Sequence, residues 1–548
     1  MFVPGVTFTT RQPHAAALGT RADVAMFVGC VGRRAAPLPA PVRETLIAGG
    51  WSPNGLFATP EARLDSLLGV PVPVTSWSAF DALYAWDERP AAAGSAERLP
   101  TALGLAVKSF FEEGGAKAYV VRTGDPLALV GATAAAAAAA SRALLSWPAA
   151  APPEDGPRVP ILPGFQGRGD AADPGDPATW TGAAAVYAVD DAAMLLLPDL
   201  PDIAAGAPRP APPLEEPPGP PEDFLPCARP VPPPEPEPRP ARPDYLAPRL
   251  DADGYALWGA ALRHALDLLG RPKGPAHRRD VMLVSALPLP LDDGGFTAAE
   301  ENWPLAILAR PGLGGPKTPL LGDAAIGSAR LQLAYPWVET AASAILPEGL
   351  QSPEGMLAGL IASRALADGA FRSAAGQPLR SARRIQPDLA ESDIARGFAP
   401  YADWLGERLC LIATRRGRIG LVSDATMAEE RKWRAGGVSR LMDTVLRAAR
   451  QLGDELVFEP SGPLLWARVR AAMEGFLARL AARGALDVSA AGPGYSVRCD
   501  ETVMTQADID NGRVICRVEF TAAYPIEHVE VSLLLLEPAG GAAVREAA

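Results

Sequence analysis

The segment from Phe458 to about Glu537 constrains the fold most, because it joins one helix-forming stretch to several strand-forming ones. A helix is predicted from Pro463, in its first turn, to a stop at Gly484, with Ser461 as the N-cap. Apolar residues recur there at the spacing of one helix face and predict a single buried stripe. The stripe consists of Leu465, Val469, Met473, Phe476 and Leu480.

The opposite face of this helix is unusually small. It carries Ala467, Ala471, Ala478 and Ala482, and one edge of it is lined by Arg468, Arg479 and Arg483. Large side chains are free to occur on a solvated face, so the run of alanines indicates a surface that another molecule can approach closely. The alternative is an ordinary solvated face.

Strand-forming sequence follows the helix. Residues 495–500 form one β-prone run, and Asn511-Gly512 predicts a tight turn. Beyond the turn, apolar and polar residues alternate from Val514 to Phe520, as in a half-buried strand. The segment therefore predicts a small α+β domain.

A long motif lies between these two runs, and it carries a family resemblance. Its residues are Met504, Thr505, Gln506, Asp508, Asp510, Asn511 and Gly512. Together with Phe458-Glu459-Pro460, Leu465-Trp466 and Cys499-Asp500, the motif closely resembles the C-terminal domain of contractile tail sheath proteins, which occur in contractile-tailed phages and related injection systems.

Earlier stretches extend the resemblance. Ala25–Gly29 is predicted as a strand, and Ser76-Trp77 as the entry to a helix. A helix from Leu105, a stop at Gly114-Gly115 and a strand ending at Arg122 follow. Further on, the run from Leu331 to Trp337 resembles the family's strand ending in Tyr-Pro-Trp. Helices and strands that alternate in this way predict an α/β domain.

Two insertions interrupt that alternation. The first, at about 126–182, contains an alanine run from Ala132 to Ala140 that is helical by propensity. The second, at about 205–250, has eighteen prolines between 208 and 248. Such a tract is expected to be extended and solvated, as an exposed insertion or as a docking tract for a partner domain.

Composition limits the function classes. A chain of 548 residues is long enough for two or three domains, and its net charge of −12 argues against nucleic acid as a partner. The five cysteines are scattered without a CxxC pair, which indicates buried thiols of a protein made in a reducing cytoplasm. The N-terminus resembles no signal peptide, and no apolar run predicts a membrane span.

Candidate catalytic and metal-binding residues do not form a recognisable pattern. The four histidines, at 14, 264, 277 and 528, have no metal-ligand spacing, so no metal or other cofactor is expected. The glycine-rich stretch 312–318 lacks the spacing of a phosphate-binding loop and has Pro316 before Lys317. We therefore expect no catalytic residue and no enzyme activity.

The resemblance implies a fold and a domain plan. The expected fold class is multidomain α/β: a central subtilisin-like α/β domain, plus a C-terminal α+β assembly domain with extended N- and C-terminal strands. The implied domains are an N-terminal arm and linker strand (1–24), the central sheath domain with its two insertions (25–427), and the C-terminal assembly domain with its terminal strand (428–548).

The resemblance also implies a function: a structural subunit that polymerises around an inner tube and contracts to drive the tube through a target envelope. Terminal strands would pair with neighbouring subunits through Val3, Val6, Phe8, Val529, Val531, Leu533 and Leu535. Arg468, Arg479 and Arg483 would contact the inner tube.

The partners implied are other copies of the chain, the inner tube protein, baseplate proteins and terminal cap proteins, with no nucleic acid and no membrane insertion. The protein would be made in the cytoplasm without a signal peptide and assembled into a virion tail or a phage tail-like particle. The alternatives are a non-contractile surface scaffold or adhesin-like protein, and a subtilisin-like hydrolase.

Overall fold

The computed structural model describes residues 21–131, 133–146, 157–167, 171–210, 245–270, 278–291, 329–389, 405–428, 430–456, 459–488, 492–511 and 513–523. The chain divides into two compact units. The larger unit spans Leu18–Glu455, and the described residues of the smaller unit start at Leu456. The terminal arm residues expected at 3–8 and 529–535 lie outside the described residues.

Short strands make up much of the larger unit. They are β1 (Ala25–Gly29), β2 (Gly32–Arg33), β3 (Val72–Val74), β4 (Tyr84–Ala85), β5 (Arg89–Pro90), β6 (Arg98–Leu99), β7 (Ala118–Arg122), β8 (Met194–Leu196), β9 (Arg249–Leu250), β10 (Met282–Ala286), β11 (Leu289–Pro290), β12 (Leu331–Tyr335), β13 (Trp337–Glu339), β14 (Leu350–Gln351), β15 (Arg384–Gln386), β16 (Cys410–Arg415) and β17 (Arg418–Leu421).

Helices connect many of these strands. They are α1 (Ala40–Ala48), α2 (Glu61–Ser66), α3 (Trp77–Leu83), α4 (Ala102–Glu112), α5 (Ala134–Ala143), α6 (Leu200–Ala205), α7 (Ala252–Gly270), α8 (Glu354–Ala367), α9 (Leu405–Arg408), α10 (Arg431–Arg434) and α11 (Gly436–Leu456). The predicted helix in the alanine run is confirmed as α5. No helix of the described residues is long and apolar enough to cross a membrane.

Eight strands form one sheet in the order β17-β16-β12-β10-β8-β1-β7-β3. The six inner strands are parallel, and the two edge strands β17 and β3 are antiparallel to their neighbours. From β1 the chain goes on to β7 on one side and later to β8 on the other side, so the strand order reverses at β1. The predicted α/β class of this region is confirmed.

Both faces of the sheet are buried. Alternate residues of β1 point to opposite faces, with Met26 and Val28 in one apolar cluster and Ala25 and Phe27 in the other. Helix α7 covers the first face, and helices α4 and α8 cover the second. A parallel sheet needs helices on both sides because its strands are apolar on both faces.

Two helix boundaries in this unit follow directly from the sequence. The Ser76 side chain accepts a hydrogen bond from the backbone N–H of Ala79 and caps α3, as predicted from Ser76-Trp77. Helix α4 ends before Gly114, whose φ of 105° favours glycine. A Cβ on Gly115 would lie 2.2 Å from the Phe110 ring, so both glycines of the predicted stop are required.

Helices α4 and α8 approach each other closely. A Cβ on Gly355 of α8 would lie 2.2 Å from the carbonyl oxygen of Ala106 in α4. One turn later, a Cβ on Gly359 would lie 2.6 Å from the carbonyl oxygen of Phe110. Both positions therefore exclude any side chain, and the pair brings the two helices into backbone contact.

The ends of the proline-rich tract differ from the prediction of a purely extended insertion. Pro210 and Tyr245 form an antiparallel bridge, and the backbone N–H of Leu246 donates to the carbonyl oxygen of Arg209 at 2.8 Å. Strand β9, also placed in the insertion, pairs with β11. Prolines accept hydrogen bonds through their carbonyls, and the intervening non-proline residues donate, so the two ends can pair despite their composition.

Buried ion pairs hold α11 against the sheet. Arg440 lies 2.6 Å from Asp424, and Arg447 lies 3.3 Å from Asp280. By its contacts, α11 belongs to the larger unit as far as Glu455. The domain boundary at 428 stays a prediction.

The smaller unit contains α12 (Pro463–Ala482), β18 (Tyr495–Arg498), α13 (Gln506–Asp510) and β19 (Arg517–Phe520). Strands β18 and β19 pair in antiparallel fashion. The N-cap of α12 is Gly462 and not Ser461, because the helix begins directly at Pro463. Asn511 ends α13 as its C-cap, where a turn leading straight into a strand was expected, and the strand begins at Arg517 and not at Val514.

Candidate assembly surface of the smaller unit

Helix α12 is anchored through one apolar face. The predicted stripe is confirmed at Leu465, Met473, Phe476 and Leu480, and Val469 is partly buried. Trp466 and Leu477 are buried beside it. The helix packs against β18, and its C-terminal end is marked by Gly484 with a φ of 75°. This packing fixes which face of α12 is exposed within the smaller unit.

The exposed face consists of small side chains and one large one. Ala467, Ala471, Ala478 and Ala482 are all exposed, as expected from the pattern. Leu464 lies on the same face and is 81% exposed. Leu464 was not among the residues predicted for this face, although its spacing of seven residues from Ala471 places it there.

Arginines border this face. Arg468 and Arg479 are eleven residues apart, which places them within about 20° of each other around the helix axis. Both are exposed, and Arg483 follows as the C-cap of the helix. The Arg468 guanidinium lies 3.7 Å from the Glu459 carboxylate, and the Arg479 guanidinium lies 5.9 Å from the centroid of the Phe476 ring. The edge therefore presents cationic groups beside an apolar surface.

Arg470 lies on the other side of the alanine face. Its guanidinium is 4.0 Å from the carboxylate of Glu474, one turn further along α12. Arg470 is two positions after Arg468, which corresponds to about 200° around the axis, or about 160° in the shorter direction. Arg470 is thus an exposed arginine of the same helix on the edge of the alanine face opposite to Arg468 and Arg479.

The motif residues organise a short helix. Thr505 caps α13 through a reciprocal pair of hydrogen bonds with Asp508, whose pKa is lowered by the bonds from the Thr505 hydroxyl and backbone N–H. The Gln506 amide donates to Asp510 at 2.8 Å, and the Asn511 amide donates to the Ala507 carbonyl at 2.7 Å. Gly512 lies outside the described residues. These contacts give the motif a role in local folding.

The motif is tied to α12 by a small apolar cluster. Met504 is buried with Trp466 of α12 and Cys499, which follows β18. Val469, Ile509 and Val514 pack around them. The structure therefore brings the motif at Met504–Asn511 into contact with α12, the helix that carries the arginines. The sequence alone did not predict this contact.

Solved structures resemble the chain along nearly its whole length. A chain of the anti-feeding prophage (AFP) helical sheath in its contracted state is 18% identical, with 97% of this chain and 99% of that chain covered and a TM-score of 0.52. A chain of the contracted AFP baseplate is 17% identical, with 97% and 98% covered and a TM-score of 0.53. A chain of the contracted PVC sheath complex, from an extracellular contractile injection system, is 16% identical, with 97% of each chain covered and a TM-score of 0.51. This chain has the fold of a sheath protein. No family model and no curated protein matches it.

The sheath fold of the larger unit contains a cavity of about 300 Å³. It lies at the carboxyl ends of β1 and β8, where the strand order reverses, which is where α/β sheets commonly bind ligands. Burial raises the pKa of Asp199 in its wall to about 7, although the Cys30 backbone N–H donates to that carboxylate. The lining also includes the ion pair of Arg89 with Asp202.

This cavity does not provide the groups of a hydrolase. Its described lining has no histidine. His264, in α7, lies elsewhere with its Nε2 atom 2.8 Å from the Pro163 carbonyl and its ring against Phe165. The other three histidines lie outside the described residues. Among the residues that the structure describes, no group of three or more His, Cys, Asp or Glu side chains is placed to hold a metal ion. The geometry of the sheath fold thus gives no support to the hydrolase alternative.

Proposed function

We propose that the protein is a structural subunit of a contractile sheath, which polymerises around an inner tube and contracts to drive that tube through a target envelope. The observation that carries this proposal is the fold shared over 97% of the chain with a chain of a contracted helical sheath. The subunit works by packing and movement, without an enzymatic step and without a cofactor.

Its partners in this proposal are further copies of itself, the inner tube protein, baseplate proteins and terminal cap proteins. The particle is a virion tail or a phage tail-like injection system, assembled from subunits made in the cytoplasm. The larger unit serves as a subtilisin-like α/β body. The parallel order of its inner strands, with β1 between β7 and β8, is the feature that favours this assignment.

Strand exchange links the subunits. Two β-prone arms, Val3–Thr10 and Val529–Leu536, pair with sheets of neighbouring copies. The acceptor is the sheet of the smaller unit, where β18 and β19 pair only with each other among the described residues. A two-stranded sheet exposes an unpaired ladder on each side and is marginal alone, so an added strand completes it.

Truncation of the N-terminal arm tests this account. Removal of residues 1–12 is expected to leave a folded monomer with an unchanged thermal transition, because in this account the arm pairs with a neighbouring copy and not with its own subunit. The same protein should form no tubes in negative-stain images. Tubes of normal length from the truncated protein would refute strand exchange through this arm.

A deletion within the proline-rich tract is the control for the N-terminal truncation. Pro210 and Tyr245 are bridged, so residues 212–243 can be replaced by a Gly-Gly linker without moving the ends apart. This variant is expected to assemble normally if the tract is an exposed insertion. Failure to polymerise would instead make the tract a docking segment, which was the alternative from the sequence.

A further inference from the structure

Two cysteines of the smaller unit face each other across the end of the β18–β19 ladder. The register pairs Arg498 with Arg517, and Cys499 and Cys516 are the next residues on the two strands. The side chains of Cys499 and Cys516 interact with each other. Both side chains belong to the apolar cluster around Trp466 and Met504. All four cysteines among the described residues are reduced here.

The position suits a crosslink. Residues directly opposite in an antiparallel pair have Cα atoms about 4.5–5.5 Å apart. A disulfide requires a Cα separation of about 4.4–6.8 Å. Cys499 and Cys516 continue this register one residue beyond its last pair, Arg498 and Arg517, which favours a Cα separation within that range.

The other described cysteines have no such neighbour. Cys30 and Cys410 lie in the larger unit and are buried. The Cys30 sulfur is 3.4 Å from the Thr123 hydroxyl, and the Cys410 thiol donates to the Ala425 carbonyl at 3.2 Å. Cys516 is only half-buried, so a small reagent can reach it.

We propose that Cys499 and Cys516 form an intramolecular disulfide when the protein meets a low-molecular-weight disulfide such as oxidised glutathione. The Cys516 thiolate attacks one sulfur of the reagent, and the first glutathione thiolate leaves. The Cys499 thiolate then attacks Cys516 Sγ and displaces the second. Two protein thiols and one oxidised glutathione thus give one protein disulfide and two reduced glutathione molecules, with electrons and protons balanced.

The crosslink closes a loop that contains α13 and its Thr505–Asp508 capping pair. It therefore holds the motif helix to the end of the hairpin in an oxidising environment, whereas the protein made in a reducing cytoplasm keeps both thiols. This inference does not depend on the proposed function, because it needs only the fold of the smaller unit.

Peptide mapping of the full-length protein tests the proposal. After native incubation with oxidised glutathione and alkylation of free thiols, trypsin cleaves after Arg498, Arg513 and Arg517. The peptides 499–513 and 514–517 are expected as one linked species, lighter by two hydrogen atoms than their sum, that reducing agent separates. Cys30 and Cys410 are expected as alkylated thiols after denaturation. Stable glutathione adducts on Cys499 and Cys516, or a link from either to another cysteine, would overturn the proposal.

A variant and a pH series separate pairing from mere reactivity. Cys516→Ser should abolish the linked species while Cys499 stays a thiol, because Cys499 is only 3% exposed. Burial raises the pKa of both thiols, that of Cys516 to about 12, with Asp500 and Arg470 facing Cys499 and Glu474 facing Cys516. The linking rate should therefore rise about tenfold per pH unit between pH 7 and 9. A rate independent of pH would contradict direct thiolate exchange in the folded protein.

Discussion

Arg447 and Asp280 form an ion pair inside the larger unit, with the Nε atom 3.3 Å from the carboxylate and side chains that are 2% and 0% exposed. Asp280 lies two residues before β10, and Arg447 lies in the middle of α11. Arg278 and Arg450 contact the same carboxylate. Burial alone would raise the pKa of Asp280, but Arg278, Arg450 and Arg447 lower it to about 2.

Substitution of this carboxylate should be costly. In Asp280→Asn, three arginines lose their shared counter-charge in the interior, and we expect a loss of about 3–5 kcal/mol in the free energy of unfolding of the larger unit. Denaturant titration measures it. Asp454→Asn, at an exposed position of α11, should change the free energy of unfolding by less than about 0.5 kcal/mol. Equal effects of the two substitutions would show that the arginine cluster does not depend on Asp280.

A buried glutamate is expected to make the stability of the larger unit depend on pH. Burial raises the pKa of Glu354 to about 7, although the Ser352 hydroxyl donates to its Oε1 atom at 2.7 Å. The Oε2 atom is buried without a hydrogen-bond partner among the described residues. Because the folded-state pKa is raised, the stability contributed by the protonated group is complete below about pH 4.5 and is lost as the pH rises through 7.

Glu354→Gln removes this titration. The variant is expected to match the parent near pH 4.5 and to be more stable by about 3 kcal/mol at pH 8, since a neutral amide cannot become a buried charge. Unfolding at both pH values provides the difference between variant and parent, which cancels the similar contributions of Asp199 and Asp443. Glu97→Gln, at an exposed position, should differ from the parent by less than about 0.5 kcal/mol at either pH. A parent and Glu354→Gln variant with parallel pH profiles would contradict an ionisable interior glutamate.

Local signals in the sequence predicted many elements correctly. Ser76 before Trp77, the Gly114-Gly115 pair and the stripe from Leu465 to Leu480 each act over a few residues, so their effect can be read from neighbouring positions. Strand β7 was predicted for the same reason, whereas β1 and β12 were predicted from the family resemblance. The motif residue Thr505 was noted for its family resemblance, and its capping of α13 explains physically why a hydroxyl stands there.

Long-range features were not predictable in this way. Asp280 and Arg447 are far apart in the sequence, and hydropathy classes both as surface residues, although both are buried. The bridge between Pro210 and Tyr245 joins two distant positions of the sequence, whereas composition alone indicated a solvated tract. The N-cap is Gly462 and not Ser461. The backbone geometry at Pro463 decides where the helix starts, and the sequence is compatible with either residue as the N-cap.

The contact between α4 and α8 gives a packing prediction. A Cβ at Gly355 would lie 2.2 Å from the Ala106 carbonyl oxygen and 2.6 Å from its Cα atom, so the helices must move apart in Gly355→Ala. We expect a loss of at least about 2 kcal/mol in the free energy of unfolding, since backbone atoms cannot swing aside as a flexible side chain can.

Gly453→Ala is the matched control for this substitution. Gly453 lies within α11, and a Cβ there would meet nothing within 4 Å. The same chemical change should therefore stabilise the protein by about 0.5–1 kcal/mol through the helix preference of alanine. Opposite signs for the two variants are the expected result of denaturant titration. Stabilisation by both would show that α4 and α8 can separate at no cost.

The last prediction concerns the arginines at the edge of the alanine face, and it rests on the proposed function. Arg468 and Arg479 border a surface of four alanines and Leu464 that a partner can approach closely, and guanidinium groups bind carboxylates with two parallel hydrogen bonds. We propose that these residues, with Arg483, contact the inner tube. The double variant Arg468→Glu, Arg479→Glu should fold normally, because both side chains are exposed. It should still form the tube-free contracted polymer.

The extended sheath on the tube should be lost in that double variant, because two attractive contacts per subunit become repulsive ones towards the same carboxylates. Arg470→Glu changes the charge of the same helix on the opposite edge of the alanine face, where Arg470 lies beside Glu474. Electron microscopy of co-expressed sheath and tube should show extended particles for Arg470→Glu. For the double variant it should show bare tubes and, separate from them, tube-free contracted sheaths. Extended particles from both would place the tube contact on another surface, and their absence from both would mean that the overall charge of the helix, and not this edge, controls attachment.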